Sequence, residues 1–196
     1  RGGNNELLAR MTYNAQHLPF TTVGADGQTN TFTYNARGQL LTETNPKGET
    51  TRYTYDTKGY LIAVDGPLPG TNDAVTATYD ALGRTLTKTD ESGYTLTFEH
   101  DDMNRLTKIS HPDSTFEQFT YDRLDMVTLQ DRAGRQTLFE HDNLRQMKKK
   151  TDPLGRVTLF EWCRCGTIKS LTDPMGRSTS WITDVQERPI AKQYGD

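Results

Sequence analysis

The stretch "YDALGRTLTKTDESGYTLTFEHD", residues 79–101, contains the unit from which the rest of the chain is built. It opens on Tyr-Asp, has glycine at its fifth position, and carries a second Asp-x-x-Gly phrase at residues 90–93. A stronger form of that second phrase, "TDPLGR" at residues 151–156, returns 21 residues later as "TDPMGR" at residues 172–177. A phrase that recurs at a fixed interval predicts a tandem repeat, which decides the fold before any single element does.

The repeat runs along almost the whole chain. Counted from the Tyr of Tyr-Asp, successive units are 21 residues apart, except for one of 24 and one of 20. The 24-residue unit contains an insertion within residues 65–73. We therefore predict a single array over residues 1–196, with eight full units and the start of a ninth. The units begin near Tyr13, Tyr34, Tyr55, Tyr79, His100, Tyr121, His141, Trp162 and Thr183.

Each unit is predicted to be a strand, a tight turn, a second strand and a second tight turn. Aromatic residues at i and i+2, as in Phe32 and Tyr34, lie on one face of a strand, and threonine-rich segments favour strands. Asp-x-x-Gly suits a type I turn, because Asp caps the backbone and Gly accepts a left-handed conformation. The positions expected to carry this architecture are Tyr34, Tyr55, Tyr79, Tyr121, Asp80, Asp101, Gly83, Asp152, Pro153, Gly155, Asp173, Pro174 and Gly176.

The predicted fold class is therefore all-β, with almost no helix. Tandem 21-residue β-hairpin repeats are expected to form one continuous, spiralling antiparallel sheet. Only 33% of the residues are hydrophobic, and the mean hydropathy is -0.80. Strands with polar residues on both faces argue against a two-layer sandwich, which needs a consistently apolar face. We expect a single-layer or hollow, water-lined sheet held by backbone ladders and rows of aromatic residues.

The turns also predict a register. If the glycine at position 5 follows a type I turn as a bulge, positions 2 and 6 face each other, and so do positions 1 and 7. If both turns used this register in a sheet without bulges, the aromatic residues would change face from one repeat to the next, so either one turn has an even loop or a strand carries a bulge. We favour the bulged turn at Tyr-Asp, because it pairs aromatic residues with the apolar position 7. Where Asn104, Asp125, Arg145 and Glu187 replace that glycine, we expect looser turns. The predicted opposite pairs are Asp80/Arg84, Asp101/Arg105, Asp184/Arg188, Asp131/Arg135, Asp152/Arg156, Asp173/Arg177, Tyr121/Val127 and His100/Leu106.

These units resemble the Rhs/YD repeat, Y-D-x-x-G-R-L…D-P-x-G-x-x-T-x-x-x-Y-D. The resemblance is carried by residues 79–101, by "HDNLRQMKKKTDPLGRVTLFEW" at residues 141–162, and by "YNARGQLLTETNPKGETTRYTYD" at residues 34–56. It extends from about Met11 to Ile190, and we expect a fragment of about eight repeats from a longer protein. The family includes bacterial Rhs polymorphic toxins, Tc toxin components, wall-associated proteins and teneurins.

The resemblance implies a segment of a large hollow shell. In the toxins of the family, that shell encloses a C-terminal effector polypeptide, and in teneurins it is an extracellular scaffold. The expected function is thus a non-catalytic β-shell segment of an exported protein that encapsulates or displays another polypeptide. The expected location is secreted or cell-surface. The implied partners are neighbouring YD repeats of the parent chain and an encapsulated effector, and the sheet edges could also self-associate.

The alternative function is an extracellular scaffold that binds carbohydrate or a cell-surface receptor. In that case Trp162 and Trp181 are the candidate aromatics for stacking on sugar rings. An enzyme is the least favoured hypothesis, because a feature present in every unit is architecture rather than one active site. We expect no catalytic, cofactor-binding or metal-binding residues.

Few side chains outside the repeat pattern suggest chemistry. Cys163 and Cys165 are expected to be turn thiols rather than metal ligands, because two further ligands are missing nearby, although an oxidised pair would suit an exported protein. His100 and His141 are expected to replace Tyr in the aromatic row. A net charge of -3 and a pI of about 5.8 argue against nucleic-acid binding. No apolar stretch approaches the roughly 20 residues that a membrane span needs.

Overall fold

A computed structural model describes residues 9–70, 73–164 and 166–195 of the chain. Every segment with regular structure in these ranges is a β-strand, which confirms the predicted all-β, antiparallel hairpin fold. None of the described residues forms a helix with the length and apolarity that a membrane crossing requires. The chain divides into two compact units, Arg1–Thr97 and Phe98–Asp196.

The first unit is an antiparallel sheet in which strands adjacent in sequence pair with each other. Most of these strands are joined by tight turns, in which Asp or Asn is followed three residues later by a left-handed residue, as at Asn35 and Gly38 or Asp80 and Gly83. The strands are β1 (Ala9–Tyr13), β2 (Pro19–Gly24), β3 (Thr29–Tyr34), β4 (Leu40–Thr44), β5 (Thr50–Tyr55), β6 (Leu61–Asp65), β7 (Val75–Tyr79), β8 (Thr85–Thr89) and the first part of β9 (Thr95–His100).

The second unit continues the same plan from the end of β9, again with antiparallel pairing between consecutive strands. Its further strands are β10 (Leu106–Ser110), β11 (Phe116–Asp122), β12 (Asp125–Gln130), β13 (Gln136–His141), β14 (Met147–Thr151), β15 (Val157–Trp162), β16 (Ile168–Thr172), β17 (Ser178–Thr183) and β18 (Pro189–Tyr194).

Both turns of a repeat adopt the same register. In the first turn, the Asp80 amide donates to the Arg84 carbonyl and the Gly83 amide donates to the Asp80 carbonyl. The second turn repeats this pattern at Asp152 and Arg156. The predicted position 2 to position 6 pairs are therefore confirmed in both turns. The opposite pair His100/Leu106 stays a prediction.

In the hairpins whose register is described, a β-bulge in the strand after the first turn of the repeat keeps the aromatic residues on one face. In the β3–β4 hairpin, Tyr34 lies opposite Leu40, but Thr33 lies opposite Thr42, so Leu41 is the extra residue. This settles the choice left by the sequence: neither turn has an even loop in the regular units, and a strand carries the bulge. The extra residues are Phe20, Leu41, Ile62, Leu86, Val127, Lys148, Lys169 and Ile190.

The bulge gives the sheet two chemically different faces. In the first unit, residues that share a face with Phe32 and Tyr34 are mainly aromatic and aliphatic, and we call this the aromatic face. The opposite face, which we call the hydroxyl face, carries threonine pairs such as Thr33–Thr42, whose hydroxyls lie 2.6 Å apart. Because the bulge changes the face on which the following side chains lie, one face of these strands is less polar than the sequence suggested.

Neither face forms a core. Among the described residues no hydrophobic or polar residue is buried; most rings of the repeat are half-buried, and Tyr13 is exposed. This agrees with the low hydrophobic fraction, and it confirms the expectation of a thin sheet held by ladders rather than by a packed interior.

Two expectations about the turns were wrong. Asn104, Arg145 and Glu187 have φ of 61°, 66° and 63° and keep the turn hydrogen bond that a glycine makes, so these turns are not looser. Tyr121 lies opposite Met126 rather than Val127. The reason is that this hairpin is one residue shorter: Asp122 pairs directly with Asp125 across a two-residue loop.

Candidate functional surface

Turn carboxylates form the most regular polar feature of the sheet. The Asp173 Oδ1 accepts the amides of Met175 and Arg177 at 2.8 and 2.9 Å, while its Oδ2 accepts the Arg177 Nε at 2.7 Å. The same arrangement occurs at Asp80, Asp101 and Asp152. Their regular placement at turns identifies these carboxylates as parts of the architecture.

These contacts stabilise the charged carboxylates. The hydrogen bond from the Arg177 side chain, helped by the amides of Arg177 and Met175, holds the pKa of Asp173 below its ordinary value of 3.8 against the opposing effect of desolvation. The pKa of Asp184 is lowered in the same way, first by the Arg188 side chain. Bonds to the Arg105 side chain and amide lower the pKa of Asp101.

The protein is therefore expected to lose stability in acid. A carboxyl whose folded pKa is depressed stabilises the fold fully above its unfolded pKa, and that contribution disappears as pH falls through the folded pKa. The urea midpoint should stay level from pH 7 to about 5 and decline below about 4. In Asp173→Asn the decline should be shallower. A midpoint that fell equally steeply in both proteins would rule out a contribution of Asp173.

Removing one turn carboxylate should destabilise the fold measurably. The Asp142 Oδ1 accepts the amides of Leu144 and Gln146 at 2.8 and 2.9 Å. Asp142→Ala loses both bonds, so its free energy of unfolding in urea should fall by about 1–2 kcal/mol. Asp142→Asn is the control, because Asn35 caps its own turn through Oδ1 in the same way. An equal loss in both variants would contradict the capping role.

A hydrogen bond links each of several position 1 side chains to the preceding hairpin. The Tyr79 hydroxyl donates to the Leu61 carbonyl at 2.8 Å, and the Tyr121 hydroxyl donates to the Leu106 carbonyl at 2.9 Å. The Trp162 Nε1 donates to the Met147 carbonyl at 2.8 Å. Each acceptor is position 7 of the preceding unit. The aromatic residue that opens a unit therefore fastens one hairpin to the next.

Loss of the tyrosine hydroxyl should weaken this link. Tyr79→Phe removes the bond to Leu61 but keeps the ring, so the free energy of unfolding should fall by about 1 kcal/mol. Tyr55→Phe is the matched control, because Tyr55 makes no side-chain hydrogen bond within the described part of the chain. Chemical denaturation of both variants measures the difference. Equal stability of the two variants would contradict the proposed link.

The two candidate sugar-stacking tryptophans have protein partners. Trp162 makes the hydrogen bond just described, and Trp181 lies opposite Lys192, whose Nζ is 5.6 Å from the Trp181 ring centroid. Both side chains therefore have a place in the sheet, and stacking of a carbohydrate on them stays a prediction. His141 lies opposite Met147, at the repeat position where other repeats have tyrosine.

The cysteine segment keeps the turn geometry without the capping carboxylate. The Cys163 amide donates to the Thr167 carbonyl at 2.9 Å. Cys163 is disulfide-bonded, which decides for this residue the redox state that the sequence left open. Cys165 lies outside the described residues. In the part of the chain that the structure covers, no group of three or more His, Cys, Asp or Glu side chains is placed to hold a metal ion.

One feature of the surface was not predicted from the sequence, a cleft of about 320 Å³ that Ala77 helps to line. The signal for the cleft was visible in the sequence, because Ala77 occupies a position that is aromatic in nearly every other unit.

Tandem antiparallel hairpins with capped turns, a regular bulge and an aromatic link between units define the class of this chain as a β-hairpin repeat sheet. Residues 34–70 and 79–115 match the family profile of the RHS repeat. The resemblance to the Rhs/YD-repeat family is thereby confirmed, and these two stretches are RHS repeats. No curated protein sequence matches the chain.

Solved structures share the fold. The chain is similar to a chain in the crystal structure of TcdB2-TccC3-Cdc42, with a TM-score of 0.78 and 15% identity over 93% of this chain. It is also similar to TcdB2-TccC3 without the hypervariable C-terminal region (TM-score 0.76, 16% identity, 93% of this chain). A third match is the Photorhabdus luminescens Tc holotoxin pore with the TccC3-D651A mutation (TM-score 0.52, 15% identity, 90% of this chain). The chain spans 12% of the length of each of these three chains.

Proposed function

We propose that this chain is part of the wall of a non-catalytic β-shell, in an exported Rhs/YD-repeat protein that encloses or displays another polypeptide. The observation that carries the proposal is a regular sheet in which no described residue is buried. A domain that acts alone normally has a hydrophobic core. A sheet without one suits a wall, where order comes from neighbouring repeats.

The two faces of the sheet support the same function. A wall must present one surface to a compartment and another to its surroundings, and the aromatic and hydroxyl faces differ in chemistry over the same strands. The turn carboxylates, the bulges and the aromatic links recur from unit to unit, which favours construction over a localised reaction. A secreted or cell-surface location follows from the same proposal.

Limited proteolysis of the full-length parent protein tests the enclosing role. We expect a segment outside the repeats to resist protease in the intact protein, and to be digested rapidly when that segment is expressed alone. Mass spectrometry of the fragments identifies the protected segment. If every segment outside the repeats is digested at the same rate in both forms, enclosure is wrong. Binding of an antibody against that segment to intact protein would then favour display.

A further inference from the structure

At Ala77, on the aromatic face of the sheet formed by β1–β8, the repeat lacks the aromatic ring that most other repeats carry. Two residues before position 1, other units carry an aromatic ring, and the exceptions are Ala77 and Met11. The cleft of about 320 Å³ lies where the missing ring would be, and its lining includes Leu61, Val64 and Ala77. The rings at the equivalent position belong to Phe32, Tyr53, Phe98, Phe119, Phe139, Phe160 and Trp181.

The walls of this cleft are mainly aliphatic, and neighbouring residues hold part of them in place. Val64 lies opposite Val75 in the strand ladder, and both line the cleft. Tyr79 forms another wall, and it is held twice: its hydroxyl donates to the Leu61 carbonyl at 2.8 Å, and its ring stacks on Tyr60 with centroids 5.0 Å apart. A cleft whose walls are fixed in advance loses little entropy when a ligand enters.

A cation at the cleft lacks its aromatic partner. Lys88 lies directly opposite Ala77 and lines the cleft, and no described residue forms an ion pair with it. The equivalent lysine in the second unit, Lys192, lies opposite Trp181 with its Nζ 5.6 Å from the ring centroid. The Ala77/Lys88 pair therefore has the lysine of the Trp181/Lys192 pair without its ring.

We propose that this cleft is a docking site for an aromatic side chain, Trp or Tyr, of a partner polypeptide. The occupant follows from three features: an aromatic side chain fills this place in most other repeats, the walls are mainly aliphatic, and Lys88 favours an electron-rich ring. A volume of about 320 Å³ is at the lower end of ligand pockets, which suits one side chain rather than a large ligand. The site does not depend on whether the parent protein encloses a cargo.

Titration of the ¹⁵N-labelled chain with N-acetyl-tryptophanamide tests the site. We expect saturable chemical-shift changes at Val64, Val75 and Ala77, with a dissociation constant on the order of 1 mM, typical of a ligand of this size. N-acetyl-leucinamide is the matched probe and should bind more weakly. No saturable change at these residues, or equal affinity for the two probes, would overturn the proposal.

Two variants separate docking from non-specific binding. Ala77→Phe supplies the missing ring from within, so it should abolish binding of the tryptophan probe and raise the melting temperature. Lys88→Met keeps an apolar stem without the charge, so it should weaken binding of the tryptophan probe by about 2- to 5-fold. It should leave binding of the leucine probe unchanged, a readout that does not depend on how Ala77→Phe folds. Undiminished tryptophan binding in either folded variant contradicts the assignment.

Discussion

Deletion of Leu41 should leave the sheet folded, whereas deletion of Thr31 should unfold much of the sheet formed by β1–β8. Leu41 is the extra residue of the bulge in β4. Without it, Tyr34 can still lie opposite Leu40 and Thr33 opposite Thr42, because the shortened strand alternates regularly. We expect a loss of about 1 kcal/mol or less, as for a surface change that leaves the ladder intact.

Thr31 lies in β3, which has no bulge to absorb a deletion. Removing Thr31 moves Thr29 and Asn30 to the opposite face, because side chains alternate with a period of two. The β2–β3 ladder then combines the wrong faces, and we expect a loss of more than about 3 kcal/mol or no cooperative unfolding transition. Urea denaturation followed by circular dichroism compares the two deletions. Equal damage from both deletions would mean that the bulge does not set the faces.

Among the glycines between β1 and β9 for which the contacts of an added Cβ are known, Gly83 should cause the largest loss of stability when it is replaced by alanine. Gly83 has φ of 81°, a conformation that costs alanine about 1 kcal/mol. A Cβ at this position would also lie 2.6 Å from the Tyr60 Cζ, which is part of a rigid ring. Tyr60 cannot retreat freely, because its ring stacks on Tyr79. Overpacking of this kind adds about 1–3 kcal/mol, so the expected total is about 2–4 kcal/mol.

Gly93→Ala is the matched control. Gly93 has nearly the same φ, 82°, but a Cβ there meets no atom within 4 Å. Its loss should therefore be about 1 kcal/mol, from the backbone conformation alone. Thermal or urea unfolding of both variants measures the difference. If the two variants lose the same stability, the contact between a side chain at position 83 and Tyr60 in the preceding turn does not affect stability.

The sequence predicted the repeat, the turns and the aromatic rows, since these depend on local chemistry that recurs. Asp80 facing Arg84 follows from the turn alone, and so does the left-handed glycine between them. The fold class followed from the same reasoning, because a low hydrophobic fraction and hairpin-length units leave few alternatives to a thin sheet.

What could not be predicted depends on how neighbouring strands share space. The sequence allowed either an even loop or a bulge, and only the register shows that Leu41 is the extra residue. The two-residue loop at Asp122–Asp125 shifted the partner of Tyr121, because one missing residue changes every pair after it. The left-handed conformations of Arg145 and Glu187 were also unexpected. At these positions the surrounding ladder overrides the preference of the residue.

The candidate site residues also divide into what the sequence indicated and what only the strand register shows. Trp162 was a candidate for stacking on sugar rings in the sequence, yet its indole donates to the Met147 carbonyl in the preceding hairpin. Ala77 was visible only as an exception to a pattern. Its cleft becomes evident once Val64 and Lys88 are placed around it by the register.

Nuclear Overhauser contacts across the β3–β4 hairpin test whether a bulge separates an aromatic face from a hydroxyl face. We expect cross-strand contacts between the backbones of Tyr34 and Leu40 and between those of Thr33 and Thr42, with no opposite partner for Leu41. Contacts between Thr33 and Leu41, continuing to Phe32 and Thr42, would show a ladder without a bulge and would contradict this expectation.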